Sequence, residues 1–254
     1  MRIIKNILLI IILLNSVSCY SQKTQKKFSI NIPTIDQEAS SIWRTIYDIE
    51  FFEKQGYEIN LPDNKRIDSL IVKSKNGTFN NLDYSSIYEL LKSEVFNNND
   101  YQLAFKRVEE REQLINRIIQ QIDSLKNIWN WDFKIFEAYT VVFTLYGSGG
   151  SYDPATGTVI LFTTKEGNFK KYKDPSCTII HEIVHIGIEE SIVQQYNLPH
   201  SLKERIVDKI VFLLFRDLLP EYKVQNMGSS KIDEYLNERN DITNLNKILE
   251  NYSQ

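Results

Sequence analysis

The stretch HEIVH, residues 181–185, constrains this chain more than any other part of its sequence. Two of the three histidines in 254 residues stand four positions apart there. Positions four apart share one face of an α-helix, so a helical segment lets the imidazoles of His181 and His185 point at a common atom. Neutral imidazole nitrogens are good zinc ligands. The stretch therefore predicts a helix that carries a metal site, against the alternative of two structural histidines on a buried helix.

The residues around the motif agree with this prediction. Asp174 can cap a helix, and Pro175 suits its first helical position. Glu182 follows His181 directly, so it can reach a water on the metal without binding the metal itself. Glu182 is therefore the candidate catalytic base.

A catalytic zinc site needs a third protein ligand and keeps one position open. Residues 201–215 predict a second helix, and its first turn carries Glu204, with eighteen residues between it and His185. Glu204 is the main candidate ligand, although it could instead close a capping box with Ser201. The other candidates for the third ligand are His200, Glu189, Glu190 and Asp208.

This spacing resembles the gluzincin metallopeptidases of the zincin superfamily, whose pattern is H-E-x-x-H, eighteen or nineteen residues, and a glutamate on the next helix. The resemblance covers roughly residues 155–220. It implies one zinc ion held by His181, His185 and Glu204. Asp208 stands where thermolysin-like enzymes have an aspartate that accepts a hydrogen bond from a ligand histidine and so orients it. A clear Gly-x-Met-Glu-Asn element is missing, so no particular peptidase family is indicated.

The resemblance implies hydrolysis of a peptide or protein substrate, with Glu182 as general base and one further donor for the developing oxyanion. His200 and Tyr222 are the candidate donors. Two alternatives stay open: zinc hydrolysis of another amide, for instance in cell-wall peptides, and a zincin-fold lipoprotein that binds without turnover. A fourth protein ligand, from His200 or Glu189, would favour the binding lipoprotein.

The first 21 residues have the order of a secretory signal peptide. Arg2 and Lys5 precede an apolar run at residues 7–14, which is too short to span a bilayer, and small residues follow. Cleavage after Ser21 would release a soluble product. Cleavage after residue 18 would leave Cys19 first, as in a bacterial lipoprotein. Both predict export from the cytoplasm, to the periplasm, the envelope or the medium, with a lipid on Cys19 as the only expected membrane contact.

Composition excludes some partners and folds. The net charge of −3 and the lack of a dense basic block argue against nucleic acid as a partner. If Cys19 is removed or lipidated, Cys177 is left alone, and no internal disulfide can form. The fold must then rest on packing of its apolar residues and on a metal.

Apolar spacing predicts an α+β fold, mainly helical with a small antiparallel sheet beside the histidine helix, and the resemblance implies that this domain is zincin-like. Residues 22–34 predict a flexible lead, and residues 35–130 a helical part with one long amphipathic helix over 103–125. Residues 133–147 and 158–164 predict a hairpin, the latter as the edge strand that could pair with an extended peptide. Residues 131–254 would form the catalytic part, in one compact unit with 35–130.

Overall fold

The structure is a computed structural model, and it describes residues 27–225 and 230–252. The predicted signal peptide, its two cleavage sites and Cys19 lie outside the described residues. Within the described part of the chain, no helix combines the length and the hydrophobicity that crossing a bilayer requires.

The described chain is mainly helical with four short strands, which confirms the α+β class. The strands are β1 (Phe28–Asn31), β2 (Tyr139–Thr144), β3 (Ser151–Asp153) and β4 (Thr158–Phe162). The α-helices are α1 (Ile35–Tyr47), α2 (Ile49–Lys54), α3 (Lys65–Lys75), α4 (Tyr84–Leu90), α5 (Gln102–Glu109), α6 (Glu112–Leu125), α7 (Pro175–Ile188), α8 (His200–Phe215) and α9 (Leu245–Tyr252).

The sheet is mixed, so the predicted antiparallel pairing of residues 133–147 with 158–164 is wrong. Its order is β1-β2-β4-β3, with β2 parallel to both β1 and β4 and only β3 antiparallel to β4. The physical reason is that the chain reverses its direction twice between β2 and β4. It first turns back to form β3 and then turns again at Gly157, whose φ of +70° suits glycine, so that β4 runs in the direction of β2. The hairpin is therefore β3–β4.

The predicted flexible lead is wrong for its second half. Residues Phe28–Asn31 form β1, in which Phe28 is 1% exposed and pairs in register with Tyr139. The Lys27 backbone N–H also donates to the side chain of Asn116, at 2.7 Å. Burial of one aromatic ring and the strand's hydrogen bonds outweigh the polar composition of the segment, which carries too few apolar residues to predict a strand.

The predicted long helix over 103–125 is two helices, α5 and α6, which meet at Glu110 and Arg111. Buried apolar residues hold each helix to the core, from Ala104 to Val108 and again from Ile115 onward. The charged stretch between them has none, so the core does not require one continuous helix there.

Helix α7 lies at the centre of the molecule, where it packs against β3, β4, α6 and α8. Asp174 caps it as predicted, accepting a hydrogen bond from the Ser176 N–H at 3.0 Å. A Cβ atom at Gly187 would lie 1.9 Å from the Phe133 ring, so only glycine allows this approach. The single hydrophobic core includes Ile42, Ile118 and Ile210, and therefore joins both halves of the chain.

Candidate metal centre

Helices α7 and α8 bring His181, His185 and Glu204 together. The Nε2 atoms of the two histidines are 3.1 Å apart. The Glu204 carboxylate lies 3.4 Å from Nε2 of His181 and 3.3 Å from Nε2 of His185. One potential ligand atom from each of these three residues lies within 4.8 Å of the other two, so the group could hold a metal ion.

The distances and the donor set are compatible with a divalent metal such as zinc. A regular tetrahedron with zinc–ligand bonds of about 2.0–2.1 Å has edges of about 3.3–3.4 Å. The two Nε2 atoms are 3.1 Å apart, and each has one Glu204 oxygen at a similar distance, Oε2 at 3.4 Å from His181 and Oε1 at 3.3 Å from His185. Two imidazole nitrogens and one carboxylate oxygen are also donors that zinc commonly takes. The residues present therefore fit the ion that the sequence predicts.

Glu204 does not act as a cap. Helix α8 begins at His200, with Pro199 before it, and no side chain caps its first turn. Glu204 lies on the side of α8 that meets α7, and its carboxylate is within 3.3–3.4 Å of both histidines. Two imidazoles on one side hold the pKa of Glu204 well below its usual range, although burial opposes this.

Asp208 and Tyr222 lie behind His181, on the side of the ring away from Glu204. The Tyr222 hydroxyl is 2.6 Å from Nδ1 of His181 and donates to Oδ1 of Asp208 at 2.7 Å. Nδ1 is itself 3.4 Å from Oδ1, and Asp208 also accepts from the Gln225 N–H at 2.7 Å. Asp208 thus lies where it can orient the His181 ring.

The position of Tyr222 does not suit the oxyanion donor that the sequence suggested. Its side chain is 2% exposed, and its hydroxyl contacts the ring nitrogen of His181 that faces away from the cavity. The apolar residues around Tyr222 and its hydrogen bond to the Asp208 carboxylate hold the phenol in the core and away from the cavity.

The two histidines differ in charge when no metal is bound. Burial lowers the pKa of His185 to about 4, so its imidazole is neutral at pH 7 and free to bind a cation. Burial also disfavours charge on His181, but its hydrogen bonds with Asp208 and Glu204 raise its pKa to about 9. Metal binding at neutral pH would therefore displace a proton from His181.

Glu182 lies beside the cluster without joining it. Its side chain faces the cavity next to Gly150, where a Cβ atom would lie 2.6 Å from Oε1. Burial raises the pKa of Glu182 to about 7, while the charges of His181, Lys203 and Lys171 oppose the shift. A carboxyl with a pKa near neutrality is well suited to accept and return a proton.

A cavity of about 490 Å³ opens over the cluster, and both halves of the chain line it. The N-terminal half contributes Arg44, Phe51, Phe52 and Tyr57. His200 also lines the cavity; its Nε2 atom is 3.0 Å from the Tyr57 hydroxyl. The other ring nitrogen of His200, Nδ1, is 3.8 Å from Glu204, so the predicted oxyanion donor lies beside the cluster and next to the cavity.

No fourth ligand completes the cluster among residues 27–225 and 230–252. Glu189 instead accepts a hydrogen bond from the Tyr152 hydroxyl at 2.8 Å, and exposed Glu190 pairs with Lys134 at 2.6 Å. His200 is held by Tyr57. The three-residue group leaves room for a further ligand from the cavity.

Two residues next to the cluster were not found from the sequence. The Tyr152 ring stacks on His185, with centroids 4.8 Å apart and planes at 8°. The Lys203 ammonium lies 3.1 Å from the Tyr152 hydroxyl and 3.8 Å from Glu204. Tyr152 stands in a turn-rich stretch far from the motif, so no spacing linked it to the histidines. Lys203 precedes Glu204 directly, and that adjacency was the only available indication.

The edge strand that lines the cavity is β3, not the predicted 158–164. β4 lies between β2 and β3, so both of its edges are already paired. Ser151 and Tyr152 of β3 line the cavity, and the outer edge of β3 has no strand beside it in the described residues. An extended peptide in the cavity would therefore meet β3.

No family model, curated protein or solved structure matches the chain. The chemistry of the cluster and its cavity is therefore the basis for assigning a function.

Proposed function

We propose that this protein is a zinc-dependent peptidase of the gluzincin type, with His181, His185 and Glu204 as ligands and Glu182 as general base. The observation that carries the proposal is the mutual approach of the two Nε2 atoms and the Glu204 carboxylate, at 3.1–3.4 Å, beside the buried carboxyl of Glu182, which is not part of this group. A purely structural metal site has no need for such a carboxyl.

Each residue has a defined part in hydrolysis of a peptide bond. Zinc, when bound, would lower the pKa of a water and polarise the substrate carbonyl. Glu182 would accept the proton of that water and deliver it to the leaving amine. Asp208 would hold the His181 ring in orientation, and His200 would donate to the oxyanion. The edge of β3 would align the substrate as an added strand.

Two other functions remain as outcomes of the test. Hydrolysis of a different amide, such as one in a cell-wall peptide, would use the same residues on another substrate. A binding protein without turnover is less well supported, because the described cluster has three ligands and not four. We also propose export of the mature chain, which fractionation of the cells that make it would test.

The test combines metal content with hydrolysis. Residues 22–254 are purified, metal is measured by mass spectrometry, and a broad peptide library is digested. We expect about one zinc per chain and cleavage that Glu182→Gln abolishes while zinc content is kept. Glu204→Ala should lower the zinc content. Glu190→Gln, an exposed change one turn beyond the motif, is the matched control and should cleave normally.

Two results would contradict the proposal. Full activity of Glu182→Gln would exclude this carboxyl as the base. Unaltered zinc stoichiometry in Glu204→Ala would show that the third ligand lies elsewhere.

A further inference from the structure

The charged residues that line the cavity are mostly cations, although the whole chain has a net charge of −3. Among the described residues, the only lining carboxylates are Glu182 and Glu204, both part of the proposed catalytic site. The lining cations are Arg44, Lys170, Lys171 and Lys203. A divalent metal would offset the two carboxylates, so the cavity keeps an excess of positive charge.

Not all of these cations are equally free. Lys170 donates to the backbone carbonyls of Glu58 and Ser148, at 2.5 and 3.0 Å, and so holds two loops together. Lys171 is exposed and makes no hydrogen bond or ion pair within the described chain; its ammonium lies 5.1 Å from the centroid of the Tyr172 ring. Lys171 is therefore available to a ligand.

Lys203 is the second available cation. Its side chain is 17% exposed, and its closest acceptor is the neutral Tyr152 hydroxyl, at 3.1 Å. Its one carboxylate neighbour, Glu204 at 3.8 Å, would share its charge with a bound metal. An ammonium that is largely out of water and without a full counter-charge favours an anion beside it.

Both lysines line the same cavity as His181 and Glu182. The Lys203 ammonium is also 3.8 Å from the Glu204 carboxylate. Because low-dielectric walls focus the field of like charges in a cleft, an anionic group would be attracted to this part of the cavity.

We infer that the substrate carries a carboxylate close to the bond that is cleaved, and that Lys171 and Lys203 bind it. This inference rests on the proposed peptidase function and names its substrate class. The carboxylate could belong to an acidic side chain or to a free C-terminus, since both present the same chemistry to an ammonium.

The test measures binding separately from turnover. Zinc-loaded Glu182→Gln protein is titrated with short peptides that carry a neutral dye and differ at one position, as Glu, Gln or Lys. Each is made with a free and an amidated C-terminus. We expect peptides with a carboxylate to bind about fivefold more tightly than their neutral counterparts, and the difference to shrink as salt is added.

Lys171→Met should remove most of this preference. Lys173→Met is the matched control, because Lys173 is exposed on the same segment but does not line the cavity. Loss of preference in the Glu and Gln pair identifies a side-chain carboxylate. Loss in the free and amidated pair identifies the C-terminus.

The outcomes separate the two proposals. Equal affinity for the Glu, Gln and Lys peptides in both terminal forms, or no binding at all, would overturn the carboxylate site. The same holds for a preference that survives Lys171→Met. If carboxylate peptides bind preferentially but wild-type protein cleaves none of them, the peptidase function fails while the binding site stands.

Discussion

At the scale of single residues, Glu38 is a carboxyl that this fold buries in the core, at a place that is not part of the cavity. It is fully buried and accepts hydrogen bonds from the Leu145 N–H at 2.9 Å, from the Thr144 hydroxyl and from the Tyr101 hydroxyl. Burial raises its pKa above the ordinary value of 4.5, since the three donors do not fully replace water. Folding therefore shifts the equilibrium of Glu38 towards its protonated form relative to the unfolded chain.

The sign of the pH dependence follows from that shift. A carboxyl whose pKa is raised on folding makes the folded state bind more protons than the unfolded state, so stability falls as pH rises from about 4.5 through the folded pKa. Glu38→Gln should remove this loss. Its amide can donate to the Thr144 hydroxyl, which can in turn donate to the Tyr146 carbonyl at 2.9 Å.

We therefore expect the free energy of unfolding of Glu38→Gln, relative to wild type, to increase between pH 5 and pH 8. Urea denaturation at several pH values measures it. Exposed Glu50→Gln is the control and should follow wild type. A difference between Glu38→Gln and wild type that stays constant across the range would contradict the assignment.

Single residues also show what the sequence can and cannot predict of the site. The contact of His181 with His185 follows from helical periodicity, and Glu204 followed from its spacing to the motif. Tyr152 and Tyr57 could not be found this way. They reach the cavity only because the chain folds back, and neither has a periodic relation to His181 and His185.

At the scale of elements, the approach of the β3 loop to α7 determines where Glu182 can lie. Gly150 precedes β3, and a Cβ atom there would meet Oε1 of Glu182 at 2.6 Å and Cγ2 of Thr178 at 2.8 Å. We expect Gly150→Ala to displace the Glu182 carboxylate and to lower kcat about a hundredfold, because small displacements of a catalytic group are costly.

The neighbouring glycine provides the control for that change. A Cβ atom at Gly149 meets nothing within 4 Å, so Gly149→Ala should keep full activity. Zinc content should be unchanged in both variants, since neither residue contacts a ligand. Equal kcat values for the two variants would show that the loop does not constrain Glu182.

Elements were predicted with uneven success for a physical reason. Helices α1 and α7 repeat their apolar residues locally, so their existence is readable from the sequence. The direction in which two strands pair is not readable in this way, because buried strands are rich in β-branched residues whether they pair in parallel or antiparallel. The pairing of β2 with β4 depends on β3 and its turn at Gly157. β1 has a single fully buried side chain, Phe28, and therefore little pattern to read.

At the scale of the whole molecule, the N-terminal half is part of the structure that carries the site. Helix α6 packs against α7, and the common core includes Ile42, Ile115 and Ile183. Removing residues 27–130 would expose many such side chains, each worth about 1.5–3 kcal/mol of burial, in a molecule whose total stability is on the order of 5–15 kcal/mol.

We therefore expect the fragment 131–254 to lack a cooperative thermal transition and to bind no zinc tightly, whereas residues 27–254 do both. Calorimetry and metal content measure the two properties, with the longer chain as control. A fragment that unfolds cooperatively and retains stoichiometric zinc would show that the C-terminal half is an independent domain.

The pairing of β1 with β2 has a consequence for the order of folding. Residues 32–138 lie between these neighbouring strands, so the pairing of β1 with β2 closes a long loop. The entropy cost of closing that loop comes before the pairing gives any stabilisation. β3, β4 and α7 are close in sequence and can associate early. We expect refolding to bring the histidines together first and to dock the N-terminal strand last, as a slow kinetic phase set by topology.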